Sequence, residues 1–237
     1  MKVMHVITGL SNGGAEGVLF RLCTTDRRTD HTVVSLISGG VYAKRLQEAG
    51  IPVVELNFQK TPRSVWQWQK LFAVMKREKP DIVQTWMYHA DLLGGIAARA
   101  ARVPVVWGIR HSNFIFRHKD PTWWVAHICA MLSRQVPVRI VACAHAARDA
   151  HVAMGYDEKR MRVIPNGYDT SFLHPDPFGR DAARREWNVP EDSFLLGMVA
   201  RLHPQKDHTG LLNALVILQE KGLQFHCALI GSGMSWT

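Results

Sequence analysis

The sequence predicts an α/β fold: a doubly wound parallel sheet with helices on both faces, then a second, incomplete unit of the same kind. Three observations predict it. Short apolar runs that read as strands alternate with stretches of helical apolar spacing over most of the 237 residues. Strands separated by crossover helices pair in parallel, and such a sheet needs cover on both faces. The pattern also pauses and restarts: His174-Pro-Asp-Pro-Phe-Gly179 carries no core spacing, and a fresh helix–strand–helix–strand series follows it. This divides the chain into a first domain at 1–165, a linker at 166–180 and an incomplete second domain at 181–237.

Lys2–Thr8 is the first expected strand, and Gly9-Leu-Ser-Asn-Gly-Gly-Ala-Glu-Gly17 leads from it into a helix ending near Asp26. His31–Ser38, Val53–Leu56, Asp81–Thr85 and Pro104–Ile109 are further strands, and Arg139–Cys143 closes the sheet. Helices are expected at Tyr42–Ala49, Pro62–Glu78, Ala90–Ala101 and Pro121–Arg134. The helix from Pro62 places Val65, Trp68, Phe72 and Met75 on one face. Lys60, Arg63, Lys70, Lys76, Arg77 and Lys79 lie beside them against one acid, Glu78. Met161–Ile164 is a short strand before the turn signal Asn166-Gly167. In the second domain a helix at Asp181–Trp187 precedes the buried strand Phe194–Ala200. A helix from Asp207 to about residue 220 and a strand at Phe225–Ile230 follow.

Composition excludes several classes. At 47% hydrophobic and 21% charged residues the chain is a packed globular protein. No apolar run approaches the ~20 residues of a transmembrane span, and the start lacks the apolar core and cleavage site of a signal peptide. Cys23, Cys129, Cys143 and Cys227 are far apart in apolar settings, so they read as reduced core residues of a cytosolic protein. The twelve His form no His-Glu-x-x-His array, so neither a metal nor another cofactor is expected. A net charge of +9 suits phosphorylated substrates, an anionic membrane face or nucleic acid. The absence of RRM, zinc-finger and KH signatures sets nucleic acid aside.

Candidate site residues sit at strand ends. Arg201 and Lys206, in Val199-Ala-Arg-Leu-His-Pro-Gln-Lys206, leave a strand just before a helix begins. Ligands of open α/β sheets bind at that end, and a helix amino terminus favours anions. The pair fits a diphosphate, with Arg forking onto oxygens and Lys acting as a point charge; alone it also reads as a solvated basic turn. Gly13 and Gly14 follow the first strand without the dinucleotide spacing. They allow close backbone approach to a phosphate or sugar, or simply a tight turn needing positive φ. His89, Arg110 and His111 follow two other strands and can hydrogen-bond sugar hydroxyls or phosphate. The aromatics and cations of Phe114–Trp124 suit a lipid interface or a mobile acceptor loop.

These residues together resemble the family-4 retaining glycosyltransferases of GT-B fold. The resemblance rests on the strand–Gly-Gly loop, strand–His111, Ile164-Pro-Asn-Gly-Tyr-Asp169, Ala200-Arg201-Leu with Gln-Lys206-Asp, and Leu-Ile-Gly-Ser-Gly233. It implies two Rossmann-like domains, the first handling the acceptor and the second the nucleotide-sugar, with no metal. Arg201 and Lys206 then match the pair on the donor diphosphate, and Gly13 and Gly14 the loop over the phosphates or sugar. His111 matches the catalytic His near the reacting carbon, and His89 and Arg110 fall on the acceptor side. The family's paired glutamates after the Gly-x-Gly loop have no counterpart before Thr237, so the resemblance implies a donor domain present only in part.

The expected function is transfer of a hexose from a nucleotide-diphosphate sugar to a cell-surface polysaccharide or glycolipid, with a saccharide or lipid-linked acceptor. The expected location is cytoplasmic, peripheral at the inner face of the membrane in contact with anionic lipid. The uncovered apolar faces of the incomplete domain invite a homo-oligomer. The alternative is a shortened, non-catalytic relative that binds an acceptor, a membrane or a partner.

Overall fold

A computed structural model describes residues 1–58, 67–111 and 121–233. The chain divides into two units, Met1–Gly167 and Tyr168–Thr237. In the first, the order is β1 (Lys2–Ile7), α1 (Gly14–Thr25), β2 (Asp30–Ser35), α2 (Val41–Glu48), β3 (Val53–Glu55), α3 (Trp68–Glu78) and β4 (Ile82–Trp86). Then come α4 (Tyr88–Ala101), β5 (Val105–Ile109), α5 (Pro121–Leu132), β6 (Arg139–Ala142), α6 (His145–Ala153) and β7 (Met161–Val163). The seven strands pair in parallel in the order β3-β2-β1-β4-β5-β6-β7.

The chain starts in the middle of this sheet and winds outward twice, first to β3 and then to β7. Right-handed crossovers therefore put α1 and α2 on one face and α3 to α6 on the other. Period-two alternation feeds both layers. Met4 and Val6 join Leu71, Met75, Trp107 and Ile140 in one core, while Ile7 joins Leu10, Leu19, Leu46 and Trp86 in the other. The two edge strands are only three residues each, which limits edge-to-edge pairing.

The expected parallel α/β class holds, with corrections at its ends. The strand at Arg139 does not close the sheet, because α6 carries the chain over to β7. Helix α6, His-Ala-Ala-Arg-Asp-Ala-His-Val-Ala, buries only Ala147 and His151, so it has no apolar stripe to read. Helix α7 (Pro177–Glu186) begins inside the expected linker, since proline fits the first helical turn, where its missing N–H would have no partner. Helix α4 begins at Tyr88 and takes His89 into its first turn. All four cysteines are free, but Cys143 and Cys227 are half-buried rather than core. On α3 the buried residues are Leu71, Val74 and Met75, with Trp68 and Phe72 partly covered. Lys60, Arg63, Val65 and the stretch 114–120 lie outside the described residues.

Gly40 ties the first two loops together. Its φ is +113°, and a Cβ there would stand 2.3 Å from the Leu10 carbonyl oxygen. The Tyr42 amide donates to that same oxygen at 2.9 Å. Gly40→Ala combines a glycine-only backbone with a direct clash and is expected to cost about 2–4 kcal/mol. Urea unfolding of the two proteins measures it.

The second unit contains α7, β8 (Phe194–Val199), α8 (His208–Glu220) and β9 (Phe225–Ile230). Strands β8 and β9 pair in parallel, Phe194 to Phe225 through Val199 to Ile230. Arg184 of α7 is buried and donates to the carbonyls of Pro190 at 2.6 Å and Ser193 at 3.1 Å, anchoring the approach to β8. Two strands cannot cover their own faces, and Phe194, Leu212, Val216, Ile217 and Leu223 remain exposed.

Candidate functional site

The carboxyl ends of β1, β4 and β5 open on one cavity of about 270 Å³. It sits where the strand order reverses, between the loop that leaves β1 for one face and the loop that leaves β4 for the other. Open α/β sheets bind ligands at such a point. Thr8, Gly9, Ala15 and Glu16 line it from the first loop and helix, and Met87, Tyr88, His89, His111 and Thr122 from the others. His89 and His111 are thus brought together, as the sequence led one to expect. A larger concavity of about 610 Å³ lies along α6 and β7. It is more open, and its Arg148 is already paired with Glu158 and Asp149, so the smaller cavity is the better candidate.

The glycine-rich loop works through closeness and not through handedness. None of Gly9, Gly13 and Gly14 has a positive φ, which corrects the tight-turn alternative. A Cβ on Gly9 would press to 2.9 Å from the Ile37 side chain, and one on Gly13 would fall 2.3 Å from a Glu16 carboxylate oxygen. Gly13 is the amino cap of α1, and its carbonyl accepts from the Gly17 amide at 3.1 Å. Gly14 has open space where a Cβ would be. Backbone amides at this helix start are well placed for an anion or a sugar oxygen.

Glu16 and Met87 are among the cavity residues not read from the sequence. Glu16 brings a carboxylate to a wall that otherwise holds two histidines, and it accepts from Ser11 Oγ at 3.3 Å. The signal was available: an acid three residues after an expected helix cap points back to the loop. Met87 adopts φ +75° and ψ 161°, a conformation costly for any residue but glycine. Its amide donates to Gly108 O at 3.0 Å and its carbonyl accepts from Asp91 N at 2.8 Å. The strained turn thereby sets the direction of Tyr88 and His89.

Behind the cavity, buried groups fix the histidine side. His151 Nδ1 donates to Ala147 O at 2.7 Å, so its Nε2 accepts from the Tyr88 hydroxyl at 2.9 Å. Tyr88 also lies parallel to His111, with ring centroids 6.5 Å apart. Burial lowers the pKa of His111 and pushes that of His151 down to about 4, so both are neutral at pH 7. His151→Phe leaves the Tyr88 hydroxyl without this acceptor and is expected to cost about 1–3 kcal/mol, read by chemical denaturation.

Arg110 is not among the described cavity-lining residues. Its guanidinium sits 4.5 Å from the centre of the Trp86 ring and donates to Asn166 Oδ1 at 2.8 Å. Burial lowers its pKa. In this structure it joins β4, β5 and the stretch after β7. Beneath it Asp91 is fully buried and accepts from Thr85 Oγ1 at 2.5 Å.

A second buried cluster has the donor types of a metal site. One ligand atom each from His5, Cys23 and His31 lies within 4.8 Å of the others. Proton bookkeeping favours another reading. Trp86 Nε1 is only a donor and stands 3.3 Å from His5 Nδ1, which leaves the ring proton on Nε2, 3.0 Å from His31 Nδ1. A metal would need that Nε2 lone pair. His31 Nε2 then faces Asp26 at 3.5 Å. Burial pushes His5 down to about 3 and the Cys23 thiol up to about 12. The group forms a hydrogen-bonded chain across β1 and β2.

In the second unit the β8 ladder runs on past its strand: Ala200 N donates to Ile230 O at 2.8 Å and Leu202 N to Ser232 O at 2.9 Å. A Cβ on Gly231 would stand 2.0 Å from Ala200 O, so only glycine fits beside Arg201. A 3₁₀ turn, Pro204–Lys206, follows. Asp207 has φ +51° and caps α8, its Oδ1 accepting from Gly210 N at 3.1 Å. Arg201 and Lys206 are both exposed at the amino end of α8.

The first α/β unit thus carries a cavity walled by glycine, histidine and an acid, and the second carries two exposed cations before a helix. The profile of Glycosyltransferase Family 4 matches residues 12–172, and the chain belongs to that family. It is 23% identical to EpsF of Bacillus subtilis (strain 168), named as a glycosyltransferase, over 98% of this chain and 62% of the relative. It is 28% identical to the UDP-Gal:alpha-D-GlcNAc-diphosphoundecaprenol alpha-1,3-galactosyltransferase of Escherichia coli, over 65% of this chain and 40% of that one. Anabaena Alr3699/HepE, solved with UDP and glucose, superposes with a TM-score of 0.78 at 21% identity, covering 97% of this chain and 60% of that one. That likeness concerns the fold, which is GT-B. The chain spans about three-fifths of the length of EpsF and of Alr3699/HepE.

Proposed function

We propose that this chain takes part in transfer of a hexose from a nucleotide-diphosphate sugar to a saccharide or lipid-linked acceptor of the cell surface, with retention and without a metal. The observation that carries this reading is the cavity at the strand-order reversal, most of whose lining, from Ala15 to Thr122, falls within the residues matched by the family profile. In the first unit, His89 and Glu16 hydrogen-bond acceptor hydroxyls, and the backbone of the Gly13-Gly14 turn, open beside Gly14, admits a phosphate or sugar oxygen. Neutral His111, on the same cavity, hydrogen-bonds a sugar hydroxyl. In the second unit, Arg201 and Lys206 stabilise the departing diphosphate with fixed positive charge, as an oxyanion hole stabilises developing charge. The bond from the anomeric carbon to the diphosphate oxygen breaks, a bond to the acceptor oxygen forms, and the acceptor's hydroxyl proton passes to the departing diphosphate.

The Escherichia coli relative's name gives the first acceptor to try, an N-acetylglucosamine diphospholipid. Incubation with radiolabelled UDP-galactose or UDP-glucose should move label into the lipid extract, and Glu16→Gln should reduce that transfer. Absence of both transfer and UDP binding would sink the reading. The exposed apolar residues of the second unit support self-association. Light scattering should show mass rising with concentration, and a monomer at all concentrations would remove that part. No helix among the described residues is long and apolar enough to cross a membrane.

A further inference from the structure

Helix α5 departs from the rule that a surface helix turns a polar face to water. Its twelve residues, Pro-Thr-Trp-Trp-Val-Ala-His-Ile-Cys-Ala-Met-Leu, include no Asp, Glu, Lys or Arg. The inward face is ordinary, with Ala126, Cys129 and Ala130 buried. The outward face is the anomaly: Trp124 is 58% exposed, Ile128 37% and Met131 70%. These three recur at four- and three-residue spacing, so they form one stripe along the helix. Trp124 is held in place by Trp123, whose ring meets it edge-on at 4.7 Å.

The charges flanking the stripe are mostly cations; Asp157, whose amide donates to Ser133 Oγ at 2.9 Å just past α5, is itself paired with Arg160 at 3.5 Å. Arg99 and Arg102 at the end of α4, and Arg134 and Arg139 after α5, are all exposed. From residue 92 to residue 148 the only acid in the sequence is Asp120. Helix α3, two places along the same layer, adds exposed Lys70, Lys76, Arg77 and Lys79. Apolar side chains ending in tryptophan, flanked by cations, match the boundary between anionic headgroups and acyl chains. A second copy of this chain would set like charges against each other. We infer that α5 lies on an anionic bilayer, with Trp124, Ile128 and Met131 inserted and the flanking arginines on the headgroups. Thr122, in the same first turn as Trp124, lines the cavity. Where the proposed transfer reading holds, a lipid-anchored acceptor therefore enters the cavity from the membrane surface.

The test uses the 237-residue chain and vesicles of phosphatidylcholine with or without phosphatidylglycerol. Flotation should show binding to the anionic vesicles and little to the neutral ones. Trp124→Gln/Ile128→Gln/Met131→Gln should weaken it by about tenfold or more, with melting temperature and circular dichroism unchanged. As a check independent of that triple change, lipid brominated on its acyl chains should quench tryptophan emission in the wild type, and Trp124→Phe should remove much of the quenching. No binding to anionic vesicles overturns the inference, and so does undiminished binding by the triple variant. A dimer abolished by the triple change, without vesicle binding, would assign the stripe to a second copy instead. The assay contains no nucleotide or acceptor, so its failure is distinct from failure of the transferase reading.

Discussion

Arg201→Ala and Lys206→Ala are each expected to weaken binding of UDP or GDP by about one to two orders of magnitude. On the proposed reading, each variant removes charge-assisted contact to the diphosphate worth about 1.5–3 kcal/mol. Both side chains are solvent-exposed, so the effect should shrink as salt rises. Their backbone is held without them: the β8–β9 ladder fixes Ala200 and Leu202, and Asp207 caps α8 through its own carboxylate. The Ala variants should therefore keep wild-type stability, and weaker affinity would report the diphosphate interaction itself. Lys206→Arg should restore binding only in part, because a planar fork replaces a compact ammonium at the helix start. Calorimetric titration decides, and equal affinity in wild type and both Ala variants would return the segment to a solvated basic turn.

Asp91→Asn is expected to change the pH dependence of stability more than stability itself. Burial pushes the Asp91 carboxyl up to about 8, against opposing contributions from Thr85, the Gly108 amide and Arg110. Unfolded, it would titrate near 3.9. Between those values the native state keeps a proton that the unfolded state has released, so stability falls as pH rises. The slope is at most about 1.4 kcal/mol per pH unit. His5 and His151, both shifted down by burial, act in the opposite direction below pH ~6.5, where stability falls as pH falls. The cleanest window is therefore about pH 6.5–8. Asn retains an oxygen for the Thr85 hydroxyl, and its profile should be flatter there. Parallel profiles from urea unfolding of the wild type and of Asp91→Asn would mean that the carboxyl is ionised when folded.

The alternation of apolar runs and helical stretches was legible because the long strands of the first unit are buried on both faces, as Lys2–Ile7 and Asp30–Ser35 show. Helix α6 was not legible, since it meets the sheet through one alanine and one histidine. Strand order was also beyond the sequence: nothing in Ile82–Trp86 says that it returns to pair with β1. At the site, His89 and His111 could be found from their places after strands. Tyr88 and His151 could not, because their partnership spans 63 residues and exists only after the sheet forms. Arg110 carried the same strand-end signal as His111, yet its charge is engaged by Trp86 and Asn166. Position after a strand tells which residues reach the cavity end, and not which of them stay available.

The central place of β1 also governs the order in which the molecule can assemble as it leaves the ribosome. The β1–α1–β2–α2–β3 half is complete by Glu55 and can begin to pair while the rest is being made. One edge of β1, from Val3 to Ile7, must then stay open until Ile82–Trp86 arrives. A parallel edge exposed through that interval is a template for wrong partners. Changes that slow the delivery of β4, such as lengthening the segment after β3, should lower soluble yield more than they lower the stability of the finished fold. Equivalent lengthening after β5 or β6 extends an edge whose core is already laid down, and should be tolerated better.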